Sequence, residues 1–107
     1  MQQISVTEFK QWLDDGARGR PVLLDVREDW ERARCALPDS IHLPMSQIVE
    51  RLAELDPQAD LVVYCHHGGR SAQVGSFLER RGFRSVFNLA GGIDAWSRTI
   101  DPSVPTY

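Results

Sequence analysis

The fold of this chain is decided by one stretch, Leu61-Val62-Val63-Tyr64-Cys65-His66-His67-Gly68-Gly69-Arg70-Ser71-Ala72. It begins as a short apolar run, which is typical of a strand buried on both faces. A cysteine, two histidines and two glycines follow, and a helical pattern then runs over residues 71–81. A strand that turns through glycines into a helix aims several backbone N–H groups at one point. The stretch therefore predicts an anion-binding loop with the thiol of Cys65 inside it.

Length and composition limit what can surround this loop. The chain has 107 residues, of which 42% are hydrophobic and 25% charged, as expected for one globular domain with a real core. Its net charge of -3 leaves no basic surplus for binding nucleic acid. No apolar run is long enough to span a membrane, no signal-peptide pattern is visible, and two cysteines suit a reducing compartment. We therefore expect a cytoplasmic protein that binds neither nucleic acid nor membranes.

Short apolar strands alternate with helical patterns along the whole chain. Strands are predicted at 3–6, 22–26, 40–43, 61–64 and 85–89. Helices are predicted between Ser5 and Gly16, at 30–34, 46–55 and 71–81, and from residue 93 onward. This alternation predicts an α/β fold with a central, mostly parallel five-stranded sheet flanked by helices. No linker divides residues 1–107, so we expect a single domain with its core at about 4–100 and an extended C-terminal tail at 101–107.

Cys65 is the candidate nucleophile. A cysteine reacts as its thiolate, and the helix that follows the loop places a positive dipole end near the sulfur. The permanent charge of Arg70 favours the thiolate further. Glycines let the loop take positive φ angles as it curls around an anion. The predicted substrate- or anion-binding residues are His66, His67, Gly68, Gly69, Arg70 and Ser71.

The roles of His66 and His67 stay open at this stage. One histidine is expected to face solvent and attract an anionic donor, and the other to orient the loop. No metal ligand is expected among them, because adjacent histidines should point apart and the chain has no Cys-x-x-Cys or His-x-x-x-His spacing.

Asp25 and Arg27 end the second predicted strand, at the edge of the sheet where such folds bind ligands. They either support the pocket or hold loops through an ion pair, and we favour the ion pair. Cys35 is either a resolving or second sulfur-carrying thiol or a packing residue, and we favour packing.

Four ordered blocks resemble a single-domain rhodanese, a sulfurtransferase, over nearly the whole chain. They are Leu23-Leu24-Asp25-Val26-Arg27-Glu28 with Trp30-Glu31, then Ile41-His42-Leu43-Pro44, then residues 65–71, and finally Leu89-Ala90-Gly91-Gly92-Ile93-Asp94-Ala95-Trp96. The resemblance implies a three-layer rhodanese-like domain. It also implies that Cys65 takes a sulfane sulfur from thiosulfate or a similar donor as a persulfide, and passes it to cyanide, a thiol or an acceptor protein. It implies no metal and no organic cofactor.

The chain departs from that family at Cys35-Ala36-Leu37-Pro38-Asp39-Ser40, where a Gly-His-Ile-Pro-Gly-Ala pattern is usual. We expect a changed loop there rather than lost catalysis.

Two other classes of protein remain as alternatives. Thiol phosphatases and arsenate reductases separate their cysteine and arginine by one residue more than the four that lie between Cys65 and Arg70. The shorter loop suits a sulfur atom better than a phosphoryl or arsenyl group. A sulfur-carrier or thiol-sensing module without turnover is the other alternative.

Overall fold

The computed structural model describes all residues from Met1 to Tyr107. The strands are β1 (Gln2–Ile4), β2 (Val22–Asp25), β3 (Ser40–His42), β4 (Asp60–Tyr64) and β5 (Ser85–Leu89). The α-helices are α1 (Val6–Asp14), α2 (Asp29–Arg34), α3 (Gly69–Arg80) and α4 (Gly92–Thr99). Two short 3₁₀ turns, Met45–Gln47 and Leu52–Glu54, lie between β3 and β4.

The five strands form one sheet in the order β1-β5-β4-β2-β3, and every neighbouring pair is parallel. The predicted α/β fold with a parallel five-stranded sheet is confirmed. The chain leaves β2 toward β3 on one side and leaves β4 toward β5 on the other. Ligands in such sheets bind where the connections diverge, outside the carboxyl ends of the strands. The crevice at the ends of β2 and β4 is therefore the expected site.

Side chains of β4 alternate between two hydrophobic clusters, one on each face of the sheet. Val62 and Tyr64 join a cluster with residues of α1 and α4, including Phe9 and Trp96. The alternate β4 side chains join a second cluster with residues of α3 and of the segment between β3 and β4. Because both faces are covered, the strand is an unbroken hydrophobic run from Leu61 to Tyr64, after Asp60 at its start.

Helix α1 begins where the sequence predicts. The side chain of Ser5 accepts from the backbone N–H of Glu8 at 3.0 Å, and Glu8 accepts from the N–H of Ser5 at 2.9 Å. This reciprocal pair satisfies two N–H groups that a helix start leaves unpaired, and such a cap contributes about 1 kcal/mol.

The predicted helix over 46–55 is wrong. The segment instead makes the two 3₁₀ turns, with i to i+3 bonds from Ile48 N to Met45 O at 3.3 Å and from Leu55 N to Leu52 O at 3.1 Å. Ile48 and Leu55 are buried, whereas Val49 is 67% exposed. A 3₁₀ turn rises more per residue than an α-helix. The segment runs from β3, at the edge of the sheet, to β4 in its centre.

The prediction of an extended tail at 101–107 is also wrong. Val104 is buried in the cluster that includes α4, and its carbonyl accepts from the hydroxyl of Ser97. Asp101 starts a turn by accepting from the backbone N–H of Ser103 at 3.1 Å. The chain therefore folds back, and its last residue, Tyr107, reaches the carboxyl ends of the strands.

None of the helices combines the length and the hydropathy that crossing a membrane would require.

Candidate active site

Cys65 directly follows β4, the central strand, and its residue is only 1% exposed. The loop after it turns at Gly68, which has a φ of 111° and caps α3. L-residues with a side chain rarely adopt that conformation, so glycine is required there. The turn lets α3 begin at Gly69, two residues earlier than the sequence pattern predicts. The start of the helix and the end of the strand therefore face each other across the sulfur.

Three groups contact the sulfur of Cys65. The backbone N–H groups of Gly68 and Ser71 donate to Sγ at 3.1 and 3.4 Å, and the Ser71 hydroxyl oxygen lies 3.3 Å away. Burial by itself raises the pKa of the Cys65 thiol. The hydrogen bonds from Ser71 and Gly68, with the charge of Arg70, outweigh burial and lower that pKa below its ordinary value. The site therefore favours the thiolate, the reactive form of cysteine.

The Ser71 hydroxyl is shared between the sulfur and Asn88, a buried residue of β5. Ser71 Oγ donates to Asn88 Oδ1 at 2.5 Å. The amide of Asn88 is oriented by Nδ2, which donates to Gln3 Oε1 at 2.9 Å and to Gly68 O at 3.2 Å. A hydroxyl has a single proton, so Oγ can accept from the protonated thiol while it donates to Asn88, and it can donate to the thiolate only by giving up the bond to Asn88. Asn88 thus holds both the turn and the serine.

The carbonyl groups of the loop are held away from the sulfur by α4. Ile93 N donates to the carbonyl of Cys65 at 3.0 Å, and Asp94 N donates to that of His66 at 3.1 Å. This contact requires glycine at position 92, because a Cβ there would lie 2.5 Å from the Cys65 carbonyl oxygen. Several backbone N–H groups of the loop make no hydrogen bond. Those of His66, His67, Gly69 and Arg70 have no hydrogen-bond acceptor within the chain.

Arg70 extends from the loop to Glu31 of α2 and binds it through two parallel hydrogen bonds, at 2.6 and 2.9 Å. The Arg70 guanidinium, opposed by burial and helped by Tyr107, lowers the pKa of Glu31 to about 2. Glu31 is buried, with a side chain only 3% exposed. The charge of Arg70 is therefore largely balanced inside the protein, and the pair fixes the loop to α2.

Tyr107 closes one side of the site. Its ring stacks on His66 with centroids 4.0 Å apart and planes 10° from parallel. Its hydroxyl donates to Glu31 Oε2 at 2.6 Å and accepts from Arg27 Nη1 at 3.0 Å. The other face of His66 carries the ring of His67, with centroids 3.9 Å apart. The two histidine rings therefore stack face to face, in contrast to the expectation that they point apart.

The rhodanese-like domain family matches residues 5–99, which include the Cys65 loop, Glu31 and Asn88. The chain belongs to the rhodanese-like family. A Rhodanese-like/PpiC domain-containing protein of Arabidopsis thaliana is 43% identical over 112 residues; the match covers 100% of this chain but only 38% of the plant protein. The thiosulfate sulfurtransferase GlpE of Pseudomonas savastanoi pv. phaseolicola is 34% identical over 98 residues, covering 88% of this chain and 92% of that protein. The crystal structure of a rhodanese-like domain protein from Staphylococcus aureus has a TM-score of 0.83 at 30% identity, and covers 100% of this chain and 99% of that one.

In this rhodanese-like domain, Asp25 and Arg27 lie beneath the loop and not at its mouth. Both are 0% exposed, and Arg27 binds Asp25 through two bonds of 2.9 Å. Arg27 Nη2 also donates to the carbonyl of Cys35 at 2.6 Å, and the Tyr64 hydroxyl donates to Asp25 Oδ2 at 3.1 Å. The ion pair therefore holds the Cys35 loop against the sheet. Cys35 itself is half-buried and carries a free thiol.

Hydrogen bonds connect this pair to the loop without a break. The path runs from Asp25 through Arg27, the Tyr107 hydroxyl and Glu31 to Arg70. It joins the carboxyl end of β2 to the start of α3. Low local exposure strengthens such bonds, so the path fixes the two sides of the crevice relative to each other.

Three residues of the site were not expected from the sequence. Glu31 lies within a block of the rhodanese resemblance, but the sequence does not show that it pairs with Arg70. Asn88 carries a weak signal, because it is a polar residue inside a strand that is otherwise suited to burial. Tyr107 carries none, since an aromatic residue in a proline-bounded segment does not reveal where that segment folds.

Proposed function

We propose that the domain transfers a sulfane sulfur from thiosulfate to cyanide or a thiol through a persulfide on Cys65. The observation that carries the proposal is the environment of the sulfur. It accepts two backbone N–H groups, its pKa is lowered, and four further loop N–H groups are free. The similarity to a thiosulfate sulfurtransferase supports thiosulfate as the donor.

The proposed reaction has two steps. The Cys65 thiolate attacks the outer sulfur of thiosulfate, the S–S bond of thiosulfate breaks, and sulfite leaves with the electron pair. An acceptor nucleophile then attacks the terminal sulfur of the persulfide, and the Cys65 thiolate leaves. With cyanide the product is thiocyanate. The free N–H groups of the loop stabilise the anionic persulfide and the leaving sulfite, because preorganised donors act strongly where water is excluded.

Mass spectrometry of the intact chain tests the first step. Treatment with thiosulfate should add one sulfur atom to the wild type and to Cys35→Ser, and none to Cys65→Ser. Thiocyanate production should follow the same pattern. Sulfur transfer that survives in Cys65→Ser, or that is lost in Cys35→Ser, would refute the assignment of the carrier.

A second candidate function is a sulfur carrier that accepts sulfur from another protein and turns over small anions slowly. One observation favours it: the Arg70 charge is balanced by Glu31 and is not free to attract a small anion. Steady-state kinetics separate the two functions. A carrier would form the persulfide but would show no saturable turnover with thiosulfate and cyanide, whereas the proposed enzyme would show it.

A further inference from the structure

A cluster of nitrogen and oxygen ligands lies beside the Cys65 loop. His66 and His67 belong to the loop, and Asp94 lies in the first turn of α4. The backbone N–H of Asp94 donates a hydrogen bond to the carbonyl of His66. One potential ligand atom from each residue lies within 4.8 Å of the other two. His67 Nε2 is 3.8 Å from Asp94 Oδ2. The sulfur transfer described above uses none of these three side chains to form or break a bond.

His66 has a ring nitrogen without a partner. Its Nε2 is buried and makes no hydrogen bond. A buried polar atom of this kind costs about 1–3 kcal/mol unless something satisfies it. A neutral imidazole has one ring nitrogen with a free lone pair that can bind a metal ion. Stacking with Tyr107 and His67 covers the ring faces, but a metal ion binds in the ring plane at the edge.

We propose that His66, His67 and Asp94 form a binding site for a divalent transition-metal ion of the zinc type. Two imidazoles and one carboxylate are a ligand set that zinc, copper and nickel prefer, whereas calcium and magnesium require more oxygen ligands. Three protein ligands leave a fourth position for water or a small anion.

The side chains have to rearrange to bind such an ion. The His66 and His67 rings are stacked with centroids 3.9 Å apart and planes 29° from parallel, so His67 has to rotate out of the stack before both rings can hold one ion in their planes. Zinc bonds of about 2.1 Å in a tetrahedral site keep the ligand atoms roughly 3.4 Å apart, so the widest pair closes by at most about 1.4 Å. His67 has a side chain that is 66% exposed and has room to turn. Asp94 also binds Arg98 at 3.0 Å, but that pair is on the surface and weak enough to be released.

Zinc binding to the full chain carrying both Cys35→Ser and Cys65→Ser tests the site. This background removes both thiols, so bound zinc reports only nitrogen and oxygen ligands, and it lacks the nucleophile, so the outcome is independent of sulfur transfer. Calorimetric titration with zinc should give one ion per chain. Because loss of a residue that merely supports a metal ligand costs about 10- to 100-fold in affinity, loss of a ligand should cost at least tenfold.

Two variants in that background should show this loss, Asp94→Asn and His67→Ala. Asp39→Asn is the matched control, since Asp39 is exposed and lies at the opposite, amino end of the strands. His42→Ala controls for the remaining histidine. The proposal is overturned if the background binds no zinc, if Asp94→Asn and His67→Ala bind it as tightly as their parent, or if either control variant loses it. Near-UV circular dichroism of each variant verifies that the fold is intact.

Discussion

Replacing Ser71 with alanine removes the only side chain that hydrogen-bonds to the sulfur of Cys65. Loss of a donor to the charged form raises the pKa of the thiol, so less thiolate is present at a pH below that pKa. A hydrogen bond to a charged group contributes about 1.5–3 kcal/mol, and the proton that turns to sulfur gives up a neutral bond to Asn88 that contributes about 1 kcal/mol. The difference is about 1 kcal/mol, which corresponds to a roughly fivefold smaller thiolate population.

The rate at which iodoacetamide alkylates Cys65, followed by peptide mass spectrometry across pH, measures this population. At a pH below the pKa of the wild-type thiol, Ser71→Ala should react about fivefold more slowly than the wild type, by the balance above. At high pH both proteins are fully thiolate, so their rates should converge. Ser76→Ala, in the same helix but half-buried and without a hydrogen bond to the sulfur, is the matched control and should follow the wild type.

Two results would refute this account of the sulfur. An unchanged pH profile for Ser71→Ala would mean that the hydroxyl proton never leaves Asn88 for the thiolate. A rate that stays lower even at high pH would mean that the substitution closes the approach to the sulfur and does not change its ionisation.

Three further substitutions have expected outcomes, all measured by urea denaturation. Glu31→Gln should remove an acid-dependent part of the stability. The pKa of Glu31 is about 2 in the fold and 4.5 otherwise, so its contribution of about 3 kcal/mol is present above pH 4.5 and is lost as the pH falls toward 2. Parallel losses of wild type and variant over that range would contradict it. Tyr107→Phe should cost about 1–2 kcal/mol through two lost hydrogen bonds while the pH profile of Cys65 alkylation stays unchanged; an unaltered stability would show that the hydroxyl is not held. Gly92→Ala should lower the free energy of unfolding by more than about 3 kcal/mol, because its Cβ would overlap the Cys65 carbonyl and its φ is 61°. Gly16→Ala is the control, since a Cβ at Gly16 would meet open space. Equal losses of stability in the two variants would disprove the contact.

The features of this molecule that depend on local sequence pattern were predictable from the sequence. The apolar β4 strand, the glycine turn and the cysteine are contiguous, so their geometry follows from short-range rules. The capping pair of Ser5 and Glu8 is local for the same reason. The prediction of a helix over 46–55 failed because the same apolar spacing suits a helix or two tight turns, and no local pattern decides between them.

The long-range polar pairs could not be predicted from the sequence, for a different reason. Glu31 and Arg70 are 39 positions apart, and Tyr107 is 76 positions from Glu31, so no sequence period connects them. Arg70 was expected to serve as a cation for an incoming anion. Its guanidinium instead binds the carboxylate of Glu31, which in the sequence cannot be told from the other charged residues of that short helix. Only the fold of the terminal segment shows that this carboxylate is also bound by a tyrosine.

Balancing Arg70 with Glu31 changes what activates the sulfur. An unpaired arginine beside Cys65 would favour the thiolate but would also attract any small anion from solution. With its charge neutralised by a buried carboxylate, the arginine contributes least among the causes that lower the thiol pKa, and the fixed donors of Ser71 and Gly68 contribute more. Those donors are short-ranged and point at one atom. The loop therefore stabilises charge on the sulfur, or on an atom bonded to it, more than charge elsewhere in the crevice. This is the selectivity that the proposed sulfur transfer needs, because an anionic persulfide on Cys65 would carry its charge at that position.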